Sequence, residues 1–222
     1  MLSNPDDESC CKPSQPLIDY KKHWNKVYTN AKTEKLGWYE NDLKKSLTLI
    51  EACKLTKNAN IFIPGAGSTT LVDELLKRNY SNITANDISE SALSSLQSRI
   101  GNLNTVKYDV EDLTNPNKLN VLKEVDLWFD RAVLHFFTDE EAQSAYFNLL
   151  RKLVKPDGFV ILAQFNLEGA KKCSGLDVFN YSTEMLHERL GHDFKLLNSF
   201  DYSYIMPSGA IRPYVYTLFQ RK

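Results

Sequence analysis

The chain has 222 residues, with 27 Lys and Arg against 28 Asp and Glu and a formal net charge of −1. That length fits one ample α/β domain, and the balanced charge excludes the broad basic footprint of a general nucleic-acid binder. An apolar share of 42% supports a sizeable core. No apolar run approaches the roughly 20 residues that cross a bilayer, so no membrane partner is expected.

Met1 to Gln15 are polar and carry Asp6, Asp7 and Glu8. They lack the charged start and apolar stretch of a secretory signal and the Arg-rich pattern of a mitochondrial one. Residues 1–17 are expected to form a disordered tail, and the protein to be cytoplasmic. Cys10, Cys11, Cys53 and Cys173 complete neither a Cys-x-x-Cys pattern nor a His cluster. They read as free thiols in a reducing compartment, and no metal is expected.

From Tyr20 to Tyr39 the chain is rich in aromatics, and Trp24 and Tyr28 stand four apart, on one face of a helix. Leu43, Leu47 and Ile50 recur at helical spacing, with Asn41 or Asp42 as cap. Residues 18–55 are thus expected to form N-terminal cap helices within a domain spanning 18–222. Strands and helices then alternate. Ile61-Phe62-Ile63 is a short strand ended by Pro64-Gly65, and Leu71, Leu75 and Leu76 mark a helix. Ile83 to Asp87 is a second strand, and Ser89 caps a helix that stops at Gly101. Thr105 to Val110 and Val125 to Phe129 are the third and fourth strands. Thr138-Asp139-Glu140-Glu141 has the form of a capping box. Lys155-Pro156-Asp157-Gly158 turns the chain into a fifth strand, Phe159 to Phe165. A helix over Thr183 to Leu190 and two late strands, Phe194 to Tyr204 and Tyr214 to Gln220, close the chain as an antiparallel pair. Alternation of this kind predicts a mostly parallel sheet covered on both faces.

Ligands of such sheets bind at the carboxyl ends of the strands. Gly65-Ala66-Gly67 ends the first strand, where glycines let backbone approach a ligand closely. Asp87 lies about 20 residues further on, suited to accept hydrogen bonds from ribose hydroxyls. Asp109 and Asp130 fall at two further strand ends. The loop continues Ser68-Thr69-Thr70 and lacks the third glycine of a dinucleotide fingerprint, which weakens an NAD(P)-dependent reductase as the alternative enzyme class.

Ile61 to Ser68 resembles the first motif of class I S-adenosylmethionine-dependent methyltransferases. Asn86-Asp87-Ile88-Ser89 is similar to their second strand end, Tyr108-Asp109-Val110 to their adenine contact, Val125 to Phe136 to their fourth-strand motif, and Leu153 to Phe159 to the turn into their fifth strand. The resemblance implies a three-layer Rossmann-like methyltransferase fold with a seven-stranded, mostly parallel sheet and an antiparallel last strand. It implies S-adenosyl-L-methionine as cofactor, with Gly65, Ala66 and Gly67 at the methionine portion, Asp87 and Ile88 at the ribose, and Asp109 and Val110 at the adenine. Trp24, Tyr28 and Trp38 become a lid over it. The family often carries an acid two residues before the first glycine, and here that position is Ile63.

Methyl transfer to an N, O or S nucleophile requires donor and acceptor held in line in a dry site. His135 is the candidate base, with an ordinary pKa of about 6.5. Asp130 and Arg131 are candidates to position the acceptor or hold the methionine end. The expected acceptor is a small molecule, with a protein lysine as the alternative, since the Trp24-Tyr28 and Trp38-Tyr39 pattern also resembles some lysine methyltransferases of this fold. A non-catalytic cofactor-binding module is a third reading. The Asn/Asp-Pro-Pro-aromatic motif of amino-group nucleic-acid methylases is missing, so no nucleic-acid partner is expected. A monomer or weak dimer completes the expectation.

Overall fold

The computed structural model describes residues 18–116 and 124–222; the tail expected over 1–17, with Cys10 and Cys11, lies outside them. The elements in chain order are α1 (Tyr20–Asn30), α2 (Lys44–Ala52), β1 (Asn60–Ile63), α3 (Leu71–Lys77), β2 (Asn82–Asp87), α4 (Glu90–Ile100), β3 (Val106–Val110), β4 (Val125–Arg131), α5 (Glu140–Leu153), β5 (Val154–Phe165), the two-residue strands β6 (Lys172–Cys173) and β7 (Leu176–Asp177), α6 (Thr183–Leu190), β8 (Phe194–Ile205) and β9 (Ile211–Arg221). Seven strands form one sheet in the order β3-β2-β1-β4-β5-β9-β8. The pairs from β3 to β5 are parallel, whereas β9 runs antiparallel to both β5 and β8. The expected three-layer, Rossmann-like architecture is therefore present, with the last strand of the chain reversed.

Side-chain alternation builds the layers. Successive strand residues point to opposite faces, so Ile61, Ile63, Leu127 and Phe129 join α2, α3 and α4 in one apolar cluster. Phe62, Trp128, Val160 and Leu162 face the other way and pack with α5 and α6. Both faces are buried, which is why β1, β4 and β5 read as near-continuous apolar runs.

Local chemistry sets the helix starts. Ser89, Asp139 and Ser182 each accept a hydrogen bond from a first-turn backbone N–H of α4, α5 and α6. The capping box read at Thr138 is thus displaced by one residue, to Asp139. The cap expected for α2 also differs: Leu43 occupies that position without a side-chain bond, and Asp42 Oδ1 instead accepts from Lys44 N at 2.9 Å. The turn expected at Lys155 to Gly158 lies inside β5. Register jumps there from Val125↔Val154 to Leu127↔Phe159, and Asp157 takes a left-handed φ of 60°. A bulge, rather than a separate turn, redirects the strand.

Strand order reverses between β1 and β4, the topological switch point at which open α/β sheets bind ligands. The aromatic helix α1 sits at this end, tied to α4 through Asn25, whose Oδ1 accepts from Ser89 Oγ at 2.9 Å and Ser91 N at 3.2 Å. Leu162, fully buried in β5, tests how far the sheet depends on its centre. Leu162→Ala should lower the free energy of unfolding by about 2–5 kcal/mol, read from urea denaturation. A change below about 1 kcal/mol would show that the neighbouring layer collapses into the gap.

Candidate active site

The loop after β1 is shaped by two glycines in left-handed conformation, Gly65 at φ 53° and Gly67 at φ 51°. Any Cβ on Gly65 would fall 2.0 Å from Val133 Cγ2, and one on Gly67 would fall 2.2 Å from the Tyr28 hydroxyl. The loop is therefore gripped between α1 and the segment after β4. Ala66 N donates to Asn86 O at 2.7 Å, and Gly67 N donates to Asp87 Oδ2 at 2.8 Å.

Asp87 ends β2 and is buried. Its Oδ1 accepts from Ser89 N at 2.8 Å. Burial pushes this carboxyl up to about 6, held back by the backbone N–H groups of Ser89, Gly67 and Ile88. A carboxylate has about four lone-pair positions, so the N–H bonds to the loop leave Asp87 capacity for ligand hydroxyls.

A cavity of about 280 Å³ opens over these strand ends, bordered by Gly65, Asp87 and Ile88. Trp24, Tyr28 and Trp38 form its aromatic wall together with Phe136. Trp24 stands edge-on to Trp38 at 5.6 Å and to Phe136 at 4.9 Å, and Tyr28 to Trp38 at 5.9 Å. Burial raises the Tyr28 phenol well above its ordinary value. Cys173 also borders the cavity, and burial pushes its thiol up to about 11, so it is a wall rather than a thiolate nucleophile.

The adenine-side expectation is displaced along the chain. Asp109 and Val110 do not border the cavity; Glu111, Asp112, Leu113 and Thr114 do. Asp109 contributes its carbonyl, which accepts from Asn86 Nδ2 at 3.0 Å and so locks β2 to β3. Ala66 and Gly67 likewise act through the backbone of the loop, and Ala66 borders a second, smaller cavity of about 50 Å³.

The three candidate catalytic residues separate. Asp130 is fully buried and points away from the cavity. Its Oδ1 accepts from Gln164 Nε2 at 2.9 Å and Val133 N at 3.1 Å, and its Oδ2 from Tyr146 Oη at 2.6 Å and Leu134 N at 3.2 Å. Burial raises its carboxyl to about 6 against those four bonds. With every bond made inside the chain, Asp130 holds the turn after β4 instead of touching a ligand. His135 is also fully buried, stacked on Phe165 at 4.4 Å, with neither ring nitrogen hydrogen-bonded. Burial, and secondarily the Arg131 charge, lower its pKa to about 3. It stays neutral and does not reach the cavity, so the geometry does not make it a base.

Arg131 does reach the site, bordering both cavities. Its Nε lies 3.1 Å from Glu40 Oε1 and 3.0 Å from Tyr216 Oη, and its Nη1 donates to Trp38 O at 2.9 Å. Tyr204 and Tyr214 each place a ring centroid 4.8 Å from the guanidinium carbon. Burial works against this charge, but Tyr214, Tyr216 and Glu40 hold it in place. Glu40 was not among the sequence candidates. Burial raises its carboxyl, and Arg131 and then Tyr216 counter that. Its only sequence signal is its place directly after Trp38-Tyr39.

A glycine cradle, a buried acid at the second strand end and an aromatic wall thus meet at the switch point of the sheet. Residues 64–162 match the family described as methyltransferase domain. The chain is 28% identical over 159 residues to the zebrafish (Danio rerio) EEF1A lysine methyltransferase 2, covering 68% of this chain and 66% of that relative's length. It is 26% identical over 200 residues to the mouse (Mus musculus) protein of the same name, covering 83% and 80%. Among solved structures, a SAM-dependent methyltransferase from Anabaena variabilis superposes with a TM-score of 0.72 at 15% identity, covering 91% of this chain and 93% of that one. Over residues 64–162 and in its fold, the chain thus resembles the class I S-adenosylmethionine-dependent methyltransferases. S-adenosylmethionine is the cofactor that this likeness supports, and the residues present fit it: the glycine loop allows close backbone approach and Asp87 can accept from a ribose hydroxyl.

The assignment of His135 as filler rather than base is open to direct measurement. Removing two buried, unpaired ring nitrogens relieves a desolvation cost. His135→Leu should therefore unfold at an equal or higher temperature, with stability changed by about 0–1 kcal/mol, and should keep its affinity for S-adenosylhomocysteine. Destabilisation by more than about 2 kcal/mol would instead reveal a hydrogen bond through an ordered water.

Proposed function

We propose that this chain transfers the methyl group of S-adenosylmethionine to the side-chain amine of a lysine in a protein partner. The observation that carries this reading is the make-up of the cavity wall. Trp24, Tyr28, Trp38 and Phe136 meet Glu111, Asp112 and Asp139 there, while Arg131, the one cation among the described residues bordering the cavity, is already paired with Glu40. Aromatic faces and carboxylates attract cations, so an amine acceptor suits this wall better than an anionic one. The two lysine methyltransferases that the chain resembles support the same choice at low identity.

S-adenosylmethionine supplies a methyl carbon made electrophilic by an attached sulfonium. The residues of this chain do the rest. Asp87 takes the ribose hydroxyls, and Gly65 to Gly67 bring backbone against the methionine portion. Trp24, Trp38 and Phe136 close over the reacting centre and exclude water, which matters because the displacement spends a positive charge on sulfur and creates one on nitrogen. No histidine is among the described residues bordering the cavity. Orientation of the acceptor to about 3–3.5 Å in line, rather than general-base assistance, is the contribution this geometry is built to make. The lysine ammonium gives up one proton to water at the cavity mouth before attack, since only the neutral amine has a lone pair, and the methylated nitrogen then carries the positive charge that sulfur loses.

The cytoplasmic setting is part of the same proposal, supported by the free thiols Cys53 and Cys173; no helix of the described residues is long and apolar enough to cross a membrane. A monomer or weak dimer remains the working oligomeric state.

Two measurements test the reading. Asp87 must be ionised to accept a ribose hydroxyl beside its backbone N–H bonds, and burial pushes its carboxyl up to about 6. Calorimetric affinity for S-adenosylhomocysteine should hold between pH 7 and 8 and fall as pH drops through 6, approaching about tenfold per pH unit. A flat profile from pH 8 to 5 would remove Asp87 from the ribose. For the acceptor, labelled methyl donor is incubated with the chain and either cell protein or a cell metabolite extract. Label should enter a protein band and map to a lysine Nζ. Label confined to the metabolite fraction would replace the lysine with a small molecule.

A further inference from the structure

The acid that methyltransferases of this kind often carry two residues before the first glycine is replaced here by Ile63, which is buried in the core. Ile63 nevertheless borders the smaller cavity beside the loop, and that cavity has a carboxylate from elsewhere. Glu40, from the segment before α2, borders it together with Gly65, Ala66 and Arg131. The Glu40 and Arg131 side chains are only 8% and 7% exposed. Three contacts account for Arg131 Nε and Nη1, whereas Nη2 is buried with no hydrogen-bond partner. A buried guanidinium nitrogen without an acceptor is costly, and Arg131 itself borders both cavities, which also share Trp38 and Gly65.

Resting on the cofactor assignment, we propose that Glu40 and Arg131 together hold the amino-acid end of S-adenosylmethionine, Glu40 facing its ammonium and Arg131 Nη2 its carboxylate. A zwitterion meets a zwitterion: each charge on the ligand finds the opposite charge already fixed at 3.1 Å from its counterpart. The acid has moved from the strand to the N-terminal cap. The same carboxylate that fastens the cap to β4 through Arg131 therefore also recognises the ligand. Ligands lacking the amino acid are bound by the nucleoside end alone.

Three ligands separate the charges: S-adenosylhomocysteine with both, decarboxylated S-adenosylmethionine with the ammonium only, and 5′-methylthioadenosine with neither. Calorimetry is run on the full chain and on Glu40→Gln, which keeps the shape and one acceptor. Glu40→Gln should weaken the first two ligands by roughly 10- to 100-fold and methylthioadenosine by less than about threefold, as loss of one charge-assisted bond requires. Arg131→Lys should weaken S-adenosylhomocysteine much more than the decarboxylated ligand. If Glu40→Gln weakens all three ligands equally, the residue only supports the fold; if it weakens none, the amino-acid end lies elsewhere. Either result overturns the proposal while leaving the cofactor assignment standing. Failure of the unaltered chain to bind any of the three overturns both. Thermal unfolding of each variant checks that the comparison is made on folded protein.

Discussion

The carboxylate of Asp130 is the constraint on which the site depends. It is fully buried, and its four hydrogen bonds join β4 to α5 through Tyr146, to β5 through Gln164, and to its own following turn through Val133 and Leu134. Tyr146 passes the connection on, since its hydroxyl also accepts from Trp128 Nε1 at 2.9 Å. Burying a charge is tolerable only when its lone pairs are satisfied, and here the satisfaction dictates geometry. The chain must turn at once after Arg131, and Ala132 takes a left-handed φ of 68° to do so. Non-glycine residues seldom adopt that conformation, and they hold it only where surrounding bonds enforce it.

That enforced turn has two results. Val133 comes down against Gly65, closing the space any larger residue would need. Arg131, one residue along the strand from Asp130, faces the opposite way, among Tyr204, Tyr214 and Tyr216. One short segment thus sends an anion to one face of the sheet for architecture and a cation to the other for the site. Alternation across a strand is enough to separate the roles.

The layers were legible in the sequence because both faces of β1, β4 and β5 are apolar and because caps and glycines punctuate the helices. Loop, second-strand acid and reversed last strand were legible as well, since each rests on local residue types at fixed spacing. Sidedness was not. Asp130 and His135 stand where site residues stand in such folds, yet both point into the layer around α5 or against Phe165. Polarity at a strand end signals that a residue is special without saying which face it serves. Asp109 and Val110 missed the cavity by a few residues, the ordinary error in locating where a strand stops. Glu40 left no trace in any spacing rule. It becomes a site residue only through a partner 91 positions away, by an ion pair that tertiary structure alone creates.

The way the aromatic cap is fastened bears on how the site works in time. Trp38 O accepts from Arg131, Tyr39 O accepts from the Tyr204 hydroxyl, and Asn25 is bonded at the start of α4. All these bonds lie within the chain. The conformational entropy of ordering the cap is therefore lost during folding, and little of it remains to be lost when a nucleoside arrives. A wall prepared in this way favours slow departure of the ligand over strong dependence on loop closure. It also ties the cap to the C-terminal hairpin, since Arg131 bonds both Trp38 and Tyr216 and Tyr204 bonds Tyr39.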